Sequence, residues 1–130
     1  MISSPCIYIF VNKNLGMRIG KAMAQASHAA VMATIDSGAL GKVWENSPHR
    51  TIIVLEGRDE LHLRNIREYL EQRGIGVSLI IDEGINEIDG CTVTALATNI
   101  LYKDDENIVK TMGSFKLYRD SVRLTIEVDK

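Results

Sequence analysis

The sequence predicts an α/β fold in which helices cover a mixed sheet of four or five strands. Runs of β-branched and aromatic residues alternate with helix-forming segments along the chain, which is the pattern of strands joined by helices. The third and fourth strand runs are separated only by residues 82–90, so we expect the sheet to be mixed. The length of 130 residues fits one domain.

The first third of the chain contains a strand followed by a long helix. Residues 6–11 form a β-branched and aromatic run that is typical of a buried strand, and residues 12–16 form a polar loop ending in glycine. Residues 17–35 contain no proline, a single glycine and many Ala and Met residues, so they predict a helix. Residues 39–45 predict a short helix that carries Trp44.

The rest of the chain continues the alternation. Residues 51–55 predict a strand, and residues 60–73 predict a helix that Asp59 caps and Gly74 ends. Apolar residues at helical spacing mark the core face of this helix, namely Leu63, Ile66 and Leu70. The remaining predicted elements are strands at 77–81 and 91–97, a helix at 104–111 and one more strand within 117–128.

The composition of the chain indicates an ordinary globular protein and excludes several other classes. Hydrophobic residues make up 45% of the chain and charged residues 25%, which predicts a packed core and excludes wholesale disorder. The formal net charge of -2 means that any nucleic acid must be held by a local basic patch. Cys6 and Cys91 are too few for a disulfide framework, and we expect reduced, buried thiols. No signal peptide or membrane span of roughly 20 apolar residues is found, so we expect a cytoplasmic protein without a membrane partner.

Polar side chains line one face of the long first helix. Lys21, Gln25 and His28 fall on one stripe with Met32, and the opposite face is rich in alanine. Lys21 lies near the helix N-terminus, where backbone N–H groups favour an anion, and the adjacent Gly20 leaves room for a ligand. A polar stripe is also the usual appearance of a solvated helix face, and the spacing alone does not separate the two interpretations.

Acidic residues follow the third strand run. Residues 82–90 contain four acids and no base, and Asp82 abuts a buried run where an isolated charge needs a partner. These carboxylates could act as a general base, hold a lysine or bind a hard cation, although the spacing does not match an EF-hand and an ordinary polar turn explains the others. In the next strand, Thr92, Thr94 and Thr98 are expected to share one face.

Together these segments resemble one known family. Residues 20–29, GKAMAQASHA, are close to the GKxAAQxSHA signature of type 2 peptidyl-tRNA hydrolases, which also follows a first strand. Residues 82–84 resemble the family's DAG segment, and Thr94 falls in a segment similar to its TVLAIGP strand. Residues 115–118, FKLY, resemble its LKLY ending. The resemblance covers roughly residues 6–118.

The resemblance implies a three-layer α/β/α fold around a mixed four-stranded sheet, and a homodimer. It implies hydrolysis of the ester that joins a peptide to tRNA, without a metal or organic cofactor. The implied catalytic residues are Lys21, Asp82 and Thr94. The implied substrate-binding residues are Gly20, Gln25, His28, Asn86 and Lys116. Residues 1–118 would form the domain, and residues 119–130 an extension that adds an edge strand or a dimer contact.

The chain departs from the family pattern in two places. Asn86-Glu87 stands where the family has threonine and glutamine, and Asn99-Ile100 stands where it has Gly-Pro. A tRNA would have to be held by a basic footprint of Lys13, Arg18, Lys21, Lys110, Lys116 and Arg119. The departures keep two alternatives open. One is an inactive tRNA- or protein-binding module of the same fold, and the other is an esterase or amidase for a smaller, less anionic substrate.

Overall fold

A mixed sheet forms the middle layer of the protein, whose computed structural model describes residues 4–83 and 91–119. Strands β1 to β4 span Pro5–Asn12, Thr51–Gly57, Val77–Glu83 and Cys91–Thr98. They lie in the order β2-β1-β4-β3, with β1 and β2 parallel and the other neighbours antiparallel. A fifth strand, β5 (Leu101–Tyr102), pairs with the start of β1. The predicted mixed sheet is confirmed.

Helices cover both faces of this sheet. Helices α1 to α4 span Ile19–Asp36, Leu40–Asn46, Glu60–Glu71 and Glu106–Met112. Helices α1 and α2 pack on one face against alternate residues of β1, and α3 and α4 pack on the other face. The three-layer α/β/α arrangement is therefore confirmed. No helix in the described part of the chain is both long and apolar enough to cross a membrane.

Alanine side chains bring α1 close to the sheet. Ala22, Ala29 and Ala33 are buried in one cluster with Ile7 and Ile9 of β1. Because a methyl group is all that stands between the helix backbone and the strands, the helix lies close to the sheet. The predicted alanine face of this helix is confirmed.

The residues that flank helix α3 have the roles that the sequence predicts. The side chain of Asp59 caps the helix by accepting a hydrogen bond from the His62 backbone N–H at 2.8 Å. Gly74 ends the helical turn region with a φ of 77°, a conformation that favours glycine. Gly57 at the end of β2 is needed for another reason, since a Cβ there would lie 2.5 Å from Cδ2 of Leu63. The strand therefore passes directly beneath the helix.

The element ends differ from the predictions in a few places. Helix α1 begins at Ile19 and not at residue 17, because Arg18 adopts an extended backbone and serves as the N-cap. The predicted strand within 117–128 is described only at its start, where Leu117 bridges Leu55 of β2. Residues 120–130 lie outside the described part of the chain. The short strand β5 was not predicted, because two residues carry too little pattern.

Cys6 is a free, fully buried thiol in β1. Burial raises the pKa of its thiol to about 11, and burial likewise raises the pKa of the neighbouring Tyr8 hydroxyl to about 12. Both groups therefore stay protonated at neutral pH. The expectation of a reduced, buried thiol is confirmed for Cys6.

The alanine contact between α1 and the sheet predicts a strong position dependence of helix substitutions. Ala29→Leu should destabilise the fold by about 1–3 kcal/mol, because the added carbons have no space between helix and strands. Ala24→Leu on the exposed face of the same helix should change stability by less than about 0.5 kcal/mol. Urea denaturation curves of the two variants would measure this. Equal midpoints would contradict the close contact.

The start of α3 predicts a pH-dependent stability. Nδ1 of His62 accepts a hydrogen bond from the Arg58 backbone N–H at 2.9 Å, and burial followed by the nearby Arg58 charge lowers the pKa of His62 below its ordinary value of 6.5. A lowered pKa means that the neutral imidazole stabilises the folded state. This stability is present above pH 6.5 and is lost as the pH falls through the lowered pKa.

Unfolding free energies measured between neutral and mildly acidic pH should therefore fall more for the wild type than for His62→Asn. The asparagine Oδ1 can accept the same hydrogen bond but does not titrate. Parallel pH profiles of the two proteins would show that His62 contributes nothing to the dependence.

Candidate active site

An ion pair joins the first turn of α1 to the end of β3. Nζ of Lys21 lies 3.1 Å from Oδ2 of Asp82, and the two side chains are 54% and 31% exposed. A cation in the first turn of a helix is opposed by the helix dipole, so the carboxylate compensates an unfavourable placement. An ion pair this exposed adds at most about 1 kcal/mol to stability, and its main effect is to hold the ammonium in place. The partner that the sequence analysis required for Asp82 is thus Lys21.

A second contact joins α1 to the sheet one helical turn further along. The hydroxyl of Thr94 on β4 donates a hydrogen bond to Oε1 of Gln25 at 2.8 Å. Thr94 is almost completely buried, whereas Gln25 is partly exposed. With its oxygen engaged, the Gln25 amide has its NH₂ group available as a donor toward a substrate. Three predicted catalytic residues, Lys21, Asp82 and Thr94, therefore lie along one side of α1 with Gln25.

A β-bulge turns Thr94 toward α1. The register pairs Ile80 with Ala95 and Ile81 with Val93, so Thr94 is the extra residue on β4. Leu96, two residues later, packs with the α3 cluster on the other face. Thr92 pairs with Asp82 and shares the α1 face with Thr94, whereas Thr98 pairs with Val77 and lies on the α3 face with Leu96. The expectation that Thr92, Thr94 and Thr98 share one face is therefore wrong at Thr98, because the bulge breaks the alternation of the strand.

Two side chains that the sequence analysis did not select secure the backbone beside the bulge. Nδ2 of the buried Asn12 donates to the Val93 carbonyl at 2.9 Å. Oε1 of Glu60 accepts from the Val93 N–H at 3.2 Å. Both backbone groups of Val93 are thus bound by side chains, which holds Thr94 in position. Two features of the sequence could have identified these residues. Asn12 is a polar residue at the end of a buried strand, and Glu60 is an acid in the first turn of a helix.

The cluster opens into a groove between α1 and β3, which we call the α1–β3 groove. It has a volume of about 440 Å³ and is lined on the polar side by Gln25, His28 and Asp82. The rest of its lining is apolar and comes from Val31, Met32, Ile35, Leu79, Ile80 and Ile81. The predicted stripe of Gln25, His28 and Met32 therefore faces a concave surface beside the ion pair.

A second cavity lies on the other side of α1, and we call it the α1–β2 cleft. Its volume is about 520 Å³, and its cationic and aromatic members are Lys13, Tyr118 and Arg119. Nζ of Lys13 lies 3.2 Å from Oε1 of Glu56 and 5.9 Å from the centre of the Tyr118 ring. The remaining lining is Val11, Met17, Ile19, Ala22, Met23, Ala26 and Val54.

The N-terminus of α1 lies between these two cavities. Arg18 at the N-cap makes no side-chain capping hydrogen bond, so the first-turn N–H groups lack the usual side-chain acceptor. Among the described residues, no atom outside the helix's own turn lies within 4 Å of the position that a Cβ of Gly20 would occupy, which leaves room for a ligand beside this backbone. Lys21 follows directly, and a negatively charged oxygen here would meet both backbone donors and an ammonium group.

The predicted substrate-binding residue Lys116 is not part of this cluster. Lys116 lies beside β2, where its carbonyl accepts from the Glu56 N–H at 2.8 Å, and β2 and β3 are the opposite edges of the four-strand order. Asn86 and the acids after it lie outside the described residues. In the described part of the chain, no three His, Cys, Asp or Glu side chains converge as metal ligands do.

Comparison with known proteins shows the family to which the chain belongs. A family model described as "Peptidyl-tRNA hydrolase PTH2" matches residues 6–118. A protein of Haloquadratum walsbyi named peptidyl-tRNA hydrolase is 33% identical over 111 residues, which cover 85% of this chain and 96% of the relative. Proteins of the same name are 32% identical in Pyrobaculum aerophilum, with 85% and 95% covered, and 34% identical in Methanothermobacter thermautotrophicus, with 84% and 96% covered. The family match covers most of the chain, which therefore belongs to the peptidyl-tRNA hydrolase PTH2 family.

Proposed function

We propose that this protein hydrolyses the ester bond between a peptide and the 3′ ribose of tRNA, which frees the tRNA for reuse. The observation that supports this proposal most directly is the Lys21–Asp82 ion pair, which lies beside the Thr94–Gln25 hydrogen bond at an open helix N-terminus. Membership of the peptidyl-tRNA hydrolase PTH2 family and the names of the relatives support the activity. Lys21, Asp82 and Thr94 are our proposed catalytic residues.

In the proposed reaction, a water oxygen bonds to the ester carbonyl carbon and the bond to the ribose oxygen breaks. The ammonium of Lys21 and the first-turn N–H groups of α1 stabilise the negative charge that develops on the carbonyl oxygen. Asp82 holds Lys21 in position and receives the proton of the attacking water, which then passes to the ribose oxygen. Thr94 fixes Gln25 so that its NH₂ group can orient the carbonyl or the water.

The tRNA part of the substrate needs cations near this site. Lys13 and Arg119 line the α1–β2 cleft, and the exposed Arg18 occupies the N-cap position of α1 between the cleft and the catalytic pair. Tyr118 in the same cleft offers an aromatic face on which a nucleobase can stack. We propose that these residues bind the 3′ end of the tRNA, and that Gly20, Gln25, His28, Asn86 and Lys116 also contribute to substrate binding.

We further propose that the protein acts in the cytoplasm as a homodimer. The location is supported by the substrate, since peptidyl-tRNA arises where ribosomes translate. The dimer is supported by exposed apolar side chains on the described surface outside both cavities, among them Ile52 and Val109. Light scattering of the purified protein measures the mass directly.

Removal of Lys21 should abolish activity and spare the fold. Lys21→Ala should lower kcat/KM for N-acetylaminoacyl-tRNA by about 100- to 1000-fold, as expected for the loss of an oxyanion-stabilising group. Stability should change by less than about 1 kcal/mol, because the ion pair is exposed. Lys42→Ala is the matched control, since Lys42 also forms an ion pair, with Glu45 at 3.3 Å, but on α2. Wild-type turnover in Lys21→Ala would refute the proposed mechanism.

The hydroxyl of Thr94 should be required for catalysis, in addition to its contribution to packing. Thr94→Val keeps the shape but leaves Oε1 of Gln25 without its donor, so kcat should fall and unfolding should become easier by about 1–3 kcal/mol. Thr94→Ser restores the donor and should recover most of kcat. Single-turnover release of the acyl group measures both variants under conditions where denaturation curves show them folded. Equal rates for Val and Ser would remove Thr94 from the catalytic group.

Binding of tRNA should depend strongly on salt. For wild-type protein, kcat/KM should fall steeply between about 50 and 200 mM KCl, because bound cations displace counterions from phosphates. Arg119→Ala and Arg18→Ala should each reduce the log–log slope by about one. A salt-independent rate would favour a small, uncharged ester as substrate. A tRNA complex that forms without any product would identify an inactive binding module.

A further inference from the structure

The α1–β3 groove continues away from the catalytic pair as an apolar surface. Val31, Met32 and Ile35 of α1 are 60%, 42% and 68% exposed, although all three line the groove. Exposed apolar side chains grouped along one groove are unfavourable in water unless a partner covers them. The groove begins at Asp82, so its partner would lie directly beside the reacting ester.

We propose that the α1–β3 groove binds the peptide part of the substrate, with the C-terminal residue of the peptide beside Lys21 and Asp82. This inference rests on the proposed hydrolysis of peptidyl-tRNA and adds which half of the substrate lies on which side of α1.

The charges of the two cavities distinguish the two halves of the substrate. None of the described residues that line the groove is Lys or Arg, and its one formal charge is the carboxylate of Asp82. A phosphate chain in the groove would therefore meet a like charge and no cation beyond Lys21 at its end. The α1–β2 cleft instead carries Lys13 and Arg119. The nucleotide thus fits the cleft, and an uncharged peptide fits the groove.

The groove also offers a backbone partner. Among the described strands, β3 is at one end of the strand order, so one row of its N–H and C=O groups faces away from β4. An extended peptide can pair with such an edge, while its alternate side chains contact the apolar surface. A polar contact closes the far end, where the Ser78 hydroxyl donates to Oδ2 of Asp36 at 2.7 Å and ties β3 to α1.

The dimensions limit how much peptide the groove can hold. Its β3 wall runs from Leu79 to Asp82. At a rise of about 3.3 Å per residue, that wall is about 10 Å long. This length matches about three extended residues, and residues further from the ester would lie outside the groove.

The test compares substrates that share one tRNA and one C-terminal residue. We expect N-acetyl-trileucyl-tRNA to be hydrolysed with a kcat/KM about tenfold higher than N-acetyl-leucyl-tRNA, mainly through a lower KM, because additional leucine side chains are buried. A hexaleucyl substrate should give no further gain. In Ile35→Asp the advantage of the trileucyl substrate should disappear. Leu61→Asp should retain it, since Leu61 lies on α3 and is 67% exposed, nearly as much as Ile35.

The outcomes separate this inference from the proposed function. Turnover of both substrates with equal KM would overturn the peptide groove and leave the hydrolase intact. No turnover of either substrate would overturn both. An equal rise of KM for both substrates in Ile35→Asp would assign the groove to tRNA. A change of mass from dimer to monomer in Ile35→Asp, measured by light scattering, would make it an interface between two copies of the chain.

Discussion

The close approach of α1 to the sheet is the constraint on which the site depends. Buried methyl groups of Ala22, Ala29 and Ala33 set the distance between the helix and β1. Only at this distance can the short side chains of Thr94 and Asp82 reach partners on the helix. Larger residues on this face would lift the polar face of α1 away from the strands. Packing that contains no polar atom therefore determines the geometry of the polar cluster.

The candidate active site also requires the β-bulge in β4. A regular strand would place Thr94 on the face of α3, together with Leu96. The bulge turns its hydroxyl to Gln25, and the side chains of Asn12 and Glu60 bind the backbone groups of Val93 beside the bulge. Bulges occur often beside active sites because they re-aim one side chain without altering the rest of the sheet.

Helix α1 also divides the surface into two chemically different cavities. Its N-terminus, with Gly20 and Lys21, lies between the α1–β2 cleft, whose lining includes Lys13 and Arg119, and the α1–β3 groove, whose described lining includes no Lys or Arg. In the function that we propose, a substrate with an anionic half and an uncharged half would meet both cavities at once, with the bond between the halves at the helix N-terminus. The partly exposed Lys21–Asp82 pair contributes little to stability, which is consistent with a role in positioning charge.

The sequence by itself determined the local elements, because their signals lie within a few residues: the alanine face of α1, the Asp59 cap and the apolar face of α3. It also indicated Lys21, Gln25 and His28 as one stripe and Asp82 as a carboxylate in need of a partner. Only the tertiary structure decided that Lys21 is that partner, that a bulge turns Thr94 toward α1, and that Lys116 lies by the opposite edge of the sheet. Strand order and register arise from contacts between distant segments, and the local pattern of residues does not encode which strand lies beside which.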